Sequence, residues 1–330
     1  MAYCFCLVQI AAGYGLSGLL PNELFSLELQ WLFLSDNKIT GTIPEAMANL
    51  GANLRGFMLG GIGTSNLLTG TIPDIFDNLP NLESFNVDNL ELTGTIPESL
   101  SNSRKLEYLS MIRNQIEGTL PTFASARVLL LFSNKLTGTI PSSIGEWNNL
   151  THMLFNDNGF TGTIPASIGS LSKLKKIDFT SNHLSGTIPP EIFEVQDIGL
   201  ITLGSNALTG TIPTIATESA RRLEWLNVQD NLLTGSLPQN LGKLPMLWSF
   251  SATSNHLTGT IPQDLLSANS SMEYLLLGDN ELEGTVPLSF KEGKKLCELC
   301  HNYCDRGSHA AYVSFLHSPP FFCTFTVKNS

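Results

Sequence analysis

The stretch LTHMLFNDNGFTGTIP (Leu150–Pro165) contains the pattern that decides the fold. Met153 and Phe155 alternate with outward-facing positions, which is typical of a half-buried strand. Asn158 comes three residues after Phe155, and Pro165 comes seven residues after Asn158, directly behind Gly-Thr-Ile. The same apolar pair, Asn and Pro recur along the chain, so the sequence predicts a repeat architecture.

Two residue positions mark the repeats. A Pro preceded by Gly-x-x recurs from Pro21 to Pro287, mostly every 24 or 25 residues, with a 29-residue turn before Pro73 and a 20-residue turn before Pro141. Leu90 takes the Asn position in one turn. The side chains expected to form a structural ladder are Asn37, Asn66, Asn114, Asn134, Asn158, Asn182, Asn206, Asn231, Asn255 and Asn280.

Each ladder Asn is expected to be buried, with its amide bonded to backbone groups of its own and adjacent turns. Leu90 cannot form these bonds, so its turn is expected to be a weak rung repaired by water. The extra residues of the 29-residue turn, around 60–64, are interpreted as a flexible bulge rather than a phosphate loop, because no strand-to-helix context surrounds them. In Leu-Thr-Gly-Thr-Ile-Pro, alternation predicts that Leu, Gly and Ile face inward and that both Thr face outward.

These segments resemble the plant-type leucine-rich repeat, LxxLxLxxNxLxGxIP, over more than four fifths of the chain. The resemblance implies an α/β fold, a right-handed leucine-rich-repeat solenoid of horseshoe or superhelical form. Its parallel β-sheet would line a concave face, with short second strands and 3-10 or loop segments on the convex side. Residues 1–21 are expected to form a degenerate N-terminal cap or first turn, 22–290 about eleven repeats, and 291–330 a Cys-containing cap with an irregular tail.

Composition narrows the class of partner. The chain has 330 residues, is 42% hydrophobic and carries a formal charge of −11, which argues against nucleic acid and anionic membrane surfaces. Gly, Pro or polar residues interrupt every apolar stretch before it reaches the ~20 residues of a membrane span. Residues 1–13 are apolar but have no basic residue. They are interpreted as a degenerate turn or a ragged start, with a mature chain whose signal is missing as the alternative.

The concave face is the predicted ligand site. Outward positions from Tyr108 to Leu154 are largely apolar and rimmed by polar residues, which is typical of a partner surface. The alternative is that these residues are only good strand formers. Lys176 and Asp178 are expected to be a solvated pair, and His152 a surface residue rather than a pH sensor. The predicted binding residues are Trp31, Phe33, Tyr108, Ile112, Leu130, Phe132, His152, Leu154, Asn156, Lys176, Asp178, Trp225, Asn227 and Gln229.

The outward Thr residues form a second regular surface. Most turns read Thr-Gly-Thr, as at Thr137/Thr139 and Thr209/Thr211. Such two-column arrays resemble those of β-solenoid ice-binding proteins. The favoured interpretation is that Thr is simply a good exposed strand residue.

The remaining candidate sites concern modification and the chain ends. Asn149 and Asn269 begin possible N-glycosylation sequons. A possible disulfide cap, typical of the end of this repeat family, comprises Cys297, Cys300, Cys304 and Cys323. Zinc binding by the same tail is the less favoured alternative, and no metal or other cofactor is predicted.

No nucleophile elbow, kinase motif or HExxH sequence is present, so the chain is not expected to be an enzyme. The resemblance to receptor-like ectodomains implies a secreted or cell-surface module that binds a protein, peptide or glycan. It also implies a glycoprotein that is associated with the membrane and takes part in signalling. Two alternatives are a structural or adhesive protein, including one that binds ice or a wall polymer through the Thr array, and a cytoplasmic scaffold. Ligand identity and oligomeric state do not follow from the sequence.

Overall fold

A computed structural model shows a stack of turns, each with two short strands. The structure describes residues 8–61, 66–266 and 270–284. The chain divides into two compact units, unit 1 over Met1–Leu174 and unit 2 over Lys175–Ser330. In each unit, the first strands of the turns form a front sheet and the second strands form the back sheets.

The front strands are three residues long and pair in parallel with the next turn. The middle residue points into the core, so Leu109 lies beside Leu129 and Leu129 beside Met153 in a fully buried row. The residues on either side face outward because strand side chains alternate. The front strands are Val8–Ile10, Trp31–Phe33, Gly56–Met58, Ser84–Asn86, Tyr108–Ser110, Val128–Leu130 and His152–Leu154 in unit 1, and Lys176–Asp178, Leu200–Thr202, Trp225–Asn227, Ser249–Ser251 and Tyr274–Leu276 in unit 2.

The back strands carry the Thr-Gly-Thr sequences and also pair in parallel. In unit 1 they are Ser17–Leu19, Lys38–Gly41, Leu67–Thr71, Glu91–Thr93, Glu117–Thr119, Lys135–Thr139 and Gly159–Gly162. In unit 2 they are His183–Thr187, Ala207–Thr211, Leu232–Ser236, His256–Thr260 and Glu281–Glu283.

Short helical segments return the chain to the front sheet. Several begin directly after the repeat Pro, whose φ near −70° starts a helical turn and whose missing N–H is not needed there. The 3-10 segments are Asn22–Ser26, Glu45–Asn53, Phe76–Asn78, Ser142–Glu146 and Ala166–Ser170 in unit 1, and Pro190–Phe193, Leu241–Lys243 and Gln263–Leu266 in unit 2. The α-helix Glu98–Ser101 belongs to unit 1. Within the described ranges, no helix has the length and apolar character needed to cross a membrane.

The ladder Asn residues tie each turn to the one before it. Asn37 Oδ1 accepts the N–H of Leu16 at 2.9 Å, and Nδ2 donates to the carbonyls of Ala11 at 2.7 Å and Leu34 at 2.9 Å. Buried backbone groups are thereby satisfied on two turns at once. The same arrangement recurs at Asn66, Asn114, Asn134 and Asn158 in unit 1, and at Asn206, Asn231, Asn255 and Asn280 in unit 2.

The turn with Leu90 is tied by its neighbours instead. The Leu90 side chain is buried and apolar, so it neither donates nor accepts a hydrogen bond. Asn89 Nδ2 donates to the carbonyl of Gly61 in the preceding turn at 2.6 Å, and Asp88 Oδ1 accepts the N–H of Ile112 in the following turn at 2.7 Å. These direct bonds connect the turn to both neighbours. The sequence, in contrast, predicts a weak rung repaired by water.

The repeated Gly of the back strands is partly exposed, whereas the sequence pattern predicts that it faces inward. Gly94 has φ of +75° and is partly exposed, and a Cβ on it would lie 2.9 Å from Cγ2 of Thr71. Thr93 Oγ1 also donates to the carbonyl of Gly70 at 3.3 Å. The Gly is therefore needed for its left-handed backbone and for close contact with the Thr of the preceding turn.

The 29-residue turn packs against its neighbours where it is described. A Cβ on Gly60 would lie 2.0 Å from the backbone nitrogen of Asp88, and a Cβ on Gly61 would lie 2.1 Å from Oδ1 of Asp36. Both glycines thus sit in close contact with adjacent turns rather than in an open bulge. Residues 62–65 lie outside the described residues.

Candidate functional site

An apolar patch occupies the last three front strands of unit 1. Parallel register places Val128 between Tyr108 and His152, and Leu130 between Ser110 and Leu154. Apart from the buried Ser110, these residues are partly exposed, because they point away from the core while neighbouring side chains cover their flanks. We define the apolar patch as Tyr108, Ile112, Val128, Leu130, Phe132 and Leu154.

A buried carboxylate borders the patch on the side of the preceding turn. Asp88 accepts hydrogen bonds from Ser110 Oγ at 2.6 Å, from the N–H of Ile112 at 2.7 Å and from Asn86 Nδ2 at 2.7 Å. Burial raises the pKa of Asp88, and these hydrogen bonds oppose the rise. Burial also raises the pKa of Tyr108, and the nearby Asp88 charge adds to it. Hydrogen bonds with Ser110 and Asn86 oppose this rise, and the Tyr108 hydroxyl keeps its proton at physiological pH.

Polar residues border the patch on its other side. Thr151 Oγ1 lies 2.9 Å from His152 Nδ1 and 2.8 Å from the carbonyl of Arg127. Asn156 Nδ2 donates to Asp157 Oδ2 at 2.9 Å. A partly exposed apolar centre between two polar borders is the arrangement that protein-binding surfaces use.

The first two predicted residues form a separate aromatic pair. Trp31 and Phe33 stack with ring centroids 5.9 Å apart and an interplanar angle of 5°. The Trp31 ring covers the next strand, where a Cβ on Gly56 would lie 2.1 Å from Cε3. The strand Ser84–Asn86 lies between this covered strand and Tyr108, so the pair does not join the apolar patch.

Unit 2 carries the other predicted residues on its own front face. Asp178 Oδ1 accepts the N–H of Thr180 at 3.0 Å, which closes a turn within its own repeat, and Lys176 is exposed. Asn227 Oδ1 makes the equivalent bond to the N–H of Gln229 at 3.0 Å. Trp225 is partly exposed on the same strand as Asn227.

Sequence reasoning missed Trp248, which packs edge-on against Trp225 with ring centroids 5.1 Å apart. Trp248 lies one residue before the strand Ser249–Ser251, outside the alternating positions used for the prediction. The corresponding positions in adjacent turns hold exposed Glu224 and Glu273. The change from Glu to Trp at this position is the signal in the sequence that would have identified it.

The other predicted sites lie partly outside the described residues. Asn149 is exposed, and its Oδ1 accepts a 2.8 Å hydrogen bond from Lys173 Nζ. The second sequon, at Asn269, lies outside the described residues, as do Cys297, Cys300, Cys304 and Cys323. In the part of the chain that is described, no three His, Cys, Asp or Glu side chains cluster closely enough to hold a metal ion.

Comparison with known proteins adds independent evidence to this geometry. A family model described as Leucine Rich Repeat matches residues 28–50, 149–171, 173–194 and 222–244. The structure of the plant peptide hormone receptor RGFR1 in complex with RGF2 is similar with a TM-score of 0.73 at 29% identity, covering 81% of this chain and 50% of that one.

This chain is a leucine-rich-repeat protein of the plant type. The leucine-rich-repeat (LRR) ectodomain of the receptor kinase GASSHO1/SCHENGEN3 from Arabidopsis thaliana, in complex with CASPARIAN STRIP INTEGRITY FACTOR 2, is 32% identical with a TM-score of 0.69. It covers 83% of this leucine-rich-repeat protein and 35% of that chain. The repeat protein thus spans half or less of the length of these two receptor chains.

A plant ice-binding protein is matched over a larger share of its own length than the two receptors are. It is 26% identical to the leucine-rich-repeat protein with a TM-score of 0.65, and the alignment covers 77% of this chain and 81% of that one. A sequence search of curated proteins finds no match to the repeat protein.

Proposed function

We propose that the chain is a non-catalytic recognition module, secreted or held at the cell surface, that binds a peptide on the apolar patch of unit 1. The supporting observation is the patch itself, a row of partly exposed apolar residues on three adjacent front strands between polar borders. Tyr and Phe provide large contact areas with few rotatable bonds, which suits them to anchor a ligand. Similar structures include a plant peptide hormone receptor with its peptide bound.

An extended peptide fits this surface better than a small molecule. The patch is open along the direction in which turns stack, so a ligand lying across the strands contacts one turn after another. Asp88 and Asn156, at opposite borders, supply polar groups beside the apolar centre. In this role the protein has no chemistry to perform, and any signalling output belongs to a partner.

The experiment is a selection of linear peptides from a random library on the purified full chain. Phe132→Asp and Leu154→Asp place a charge in the patch and are expected to weaken the selected peptides at least tenfold, about 1.4 kcal/mol. Leu67→Asp is the matched control, because Leu67 is exposed on the back sheet of the same unit. Thermal unfolding checks that all three variants are folded. Peptides that bind the two patch variants as well as the parent would disprove the assignment.

A second candidate function, ice binding, rests on the back sheets. Thr occupies the position after Gly in nearly every turn, and these side chains are exposed, as at Thr187 and Thr211. Adjacent strands lie ~4.8 Å apart and alternate residues ~6.6 Å apart along a strand, so the hydroxyl and methyl groups form a regular array. A plant ice-binding protein is similar to this chain over most of both lengths.

Variants on the back sheet distinguish ice binding from peptide binding. If the array binds ice, Thr187→Lys and Thr211→Lys abolish thermal hysteresis and the inhibition of ice recrystallisation. Thr214→Lys is the matched control, since Thr214 is exposed just beyond the strand and its Pro. Parent protein with no effect on ice growth would remove this candidate and leave the peptide assignment untouched.

A further inference from the structure

Three aromatic rings form a ridge on the front face of unit 2. The Trp248 ring lies 5.1 Å from that of Trp225 at 81° and 5.6 Å from that of Tyr274 at 71°. Trp225 and Tyr274 flank Ser249 in the parallel register, and Trp248 directly precedes Ser249 in the chain. Ser249 is only 3% exposed although it occupies an outward strand position. The rings therefore cover this small residue and are themselves partly exposed.

Amide and hydroxyl groups line the surface beside this aromatic ridge. Asn227 and Ser251 lie next to each other in register, and Ser251 Oγ donates to Gln229 Oε1 at 3.2 Å. Among the described residues, Trp225 Nε1 and Thr253 Oγ1 are buried without a hydrogen-bond partner. Buried polar groups are normally satisfied, so these two atoms are poised to bond to a ligand after a small side-chain adjustment.

The outward strand positions around the ridge are uncharged, and the nearest charges are those of Glu224 and Glu273, level with Trp248 in the adjacent turns. The outward positions of the last four front turns of unit 2 hold only neutral side chains, whereas the first front strand of the unit carries Lys176 and Asp178. Exposed strand positions normally include charged residues, and 14% of the whole chain is charged. These neutral positions are Leu200, Thr202, Gly204, Trp225, Asn227, Gln229, Ser249, Ser251, Thr253, Tyr274, Leu276 and Gly278.

We propose that this surface binds an uncharged glycan, a function separate from peptide binding on unit 1. A pyranose ring has apolar C–H faces and a rim of hydroxyl groups. Aromatic rings bind the apolar faces, and Asn, Gln, Ser and Thr exchange hydrogen bonds with the hydroxyls. The absence of charge on the twelve outward positions matches a neutral polymer, and these positions offer no cation to an acidic polysaccharide.

The test uses the full chain with three neutral hexasaccharides, cellohexaose, laminarihexaose and chitohexaose. Tryptophan emission and calorimetry are followed during each titration. We expect a saturable signal with at least one sugar and at least tenfold weaker binding in Trp248→Ala. Trp31→Phe is the matched control, because it alters an aromatic residue on the front face of unit 1 and is expected to leave sugar binding unchanged.

Asn227→Asp provides a second variant that retains the shape of the side chain. The added charge is expected to weaken neutral-sugar binding, and thermal unfolding verifies that the variant is folded. The proposal fails if none of the three sugars gives a saturable signal, or if the Trp248→Ala and Asn227→Asp variants bind as the parent does. Tighter binding of oligogalacturonate than of every neutral sugar would also overturn it. Each of these results leaves the peptide assignment on unit 1 unaffected.

Discussion

Ser110 Oγ donates a 2.6 Å hydrogen bond to Asp88 Oδ1, joining two adjacent turns of the front sheet at the border of the apolar patch. The same oxygen accepts the N–H of Ile112. The bonds hold a carboxylate in a buried position where desolvation disfavours its charge. Stability and pH are therefore linked at this residue.

The first prediction concerns that linkage. Because the native pKa of Asp88 is raised, the native state binds a proton more readily than the unfolded state does. The stabilising contribution is full below the ordinary pKa of Asp and is lost as pH rises through the raised value. Asp88→Asn is expected to flatten the dependence of the melting temperature on pH, relative to the parent, as pH rises above the ordinary pKa of Asp. Parallel curves for parent and variant would contradict the prediction.

The second prediction restores the missing ladder residue. Leu90→Asn supplies an amide where Asn66 and Asn114 supply theirs in the adjacent turns. We expect chemical denaturation to report a gain of about 1 kcal/mol, the net value of a typical hydrogen bond. The reverse change, Asn114→Leu, is expected to lose about 1–3 kcal/mol because it leaves buried backbone groups unpaired. A destabilised Leu90→Asn would mean that the bonds of Asp88 and Asn89 leave no backbone group for the added amide to pair with.

The third prediction concerns the back-sheet glycines. Gly94→Ala is expected to lower stability by about 1–2 kcal/mol, since Ala is strained at φ of +75° and its Cβ would press on Thr71 Cγ2 at 2.9 Å. Gly199→Ala is the control, because the nearest atoms to its Cβ would be at 3.5 Å and 3.7 Å. Denaturation midpoints of the two variants are compared with the parent. Equal tolerance of both changes would show that the backbone adjusts at Gly94.

The fourth prediction concerns modification at Asn149. Its side chain is exposed, so a glycan attached there does not displace core residues. Chain secreted from eukaryotic cells is expected to lose mass at Asn149 on treatment with a glycan-removing enzyme, and Asn149→Gln is expected to remove that shift. Thr151→Ser keeps the sequon and should keep the glycan. Secreted parent chain without any modification of this site would refute the prediction.

The period of the sequence was sufficient to predict the strands and the ladder positions. An apolar pair five and three residues before an Asn defines a strand whose middle residue is buried, as at Met153 before Asn158. The register follows because each turn repeats the last. The left-handed backbone of Gly94 could not be predicted from the repeat, because strand alternation assigns this position to the interior. In the structure, Gly94 instead faces Thr71 of the preceding turn.

The candidate surfaces were predictable only in part. Phe132 and Leu154 were identified because they occupy outward positions in the repeat. Trp248 was missed because it lies one residue before the strand Ser249–Ser251. Its long side chain nevertheless reaches Trp225 and Tyr274. Asn89 and Asp88 take over the role of the missing ladder amide by bonding to adjacent turns. The directions of these bonds cannot be read from the sequence pattern.

On the back sheet, a Thr of one turn packs against the glycine of the next turn, as Thr187 Cγ2 does against Gly210. This contact and the Asn amide bonds both run between adjacent turns, and successive turns offer one another the same groups. Removing residues 184–207 would join His183 to Leu208 and leave chemically equivalent partners facing each other. The number of turns is therefore free to change by duplication or loss of whole repeats, and genes of different length can encode the same architecture.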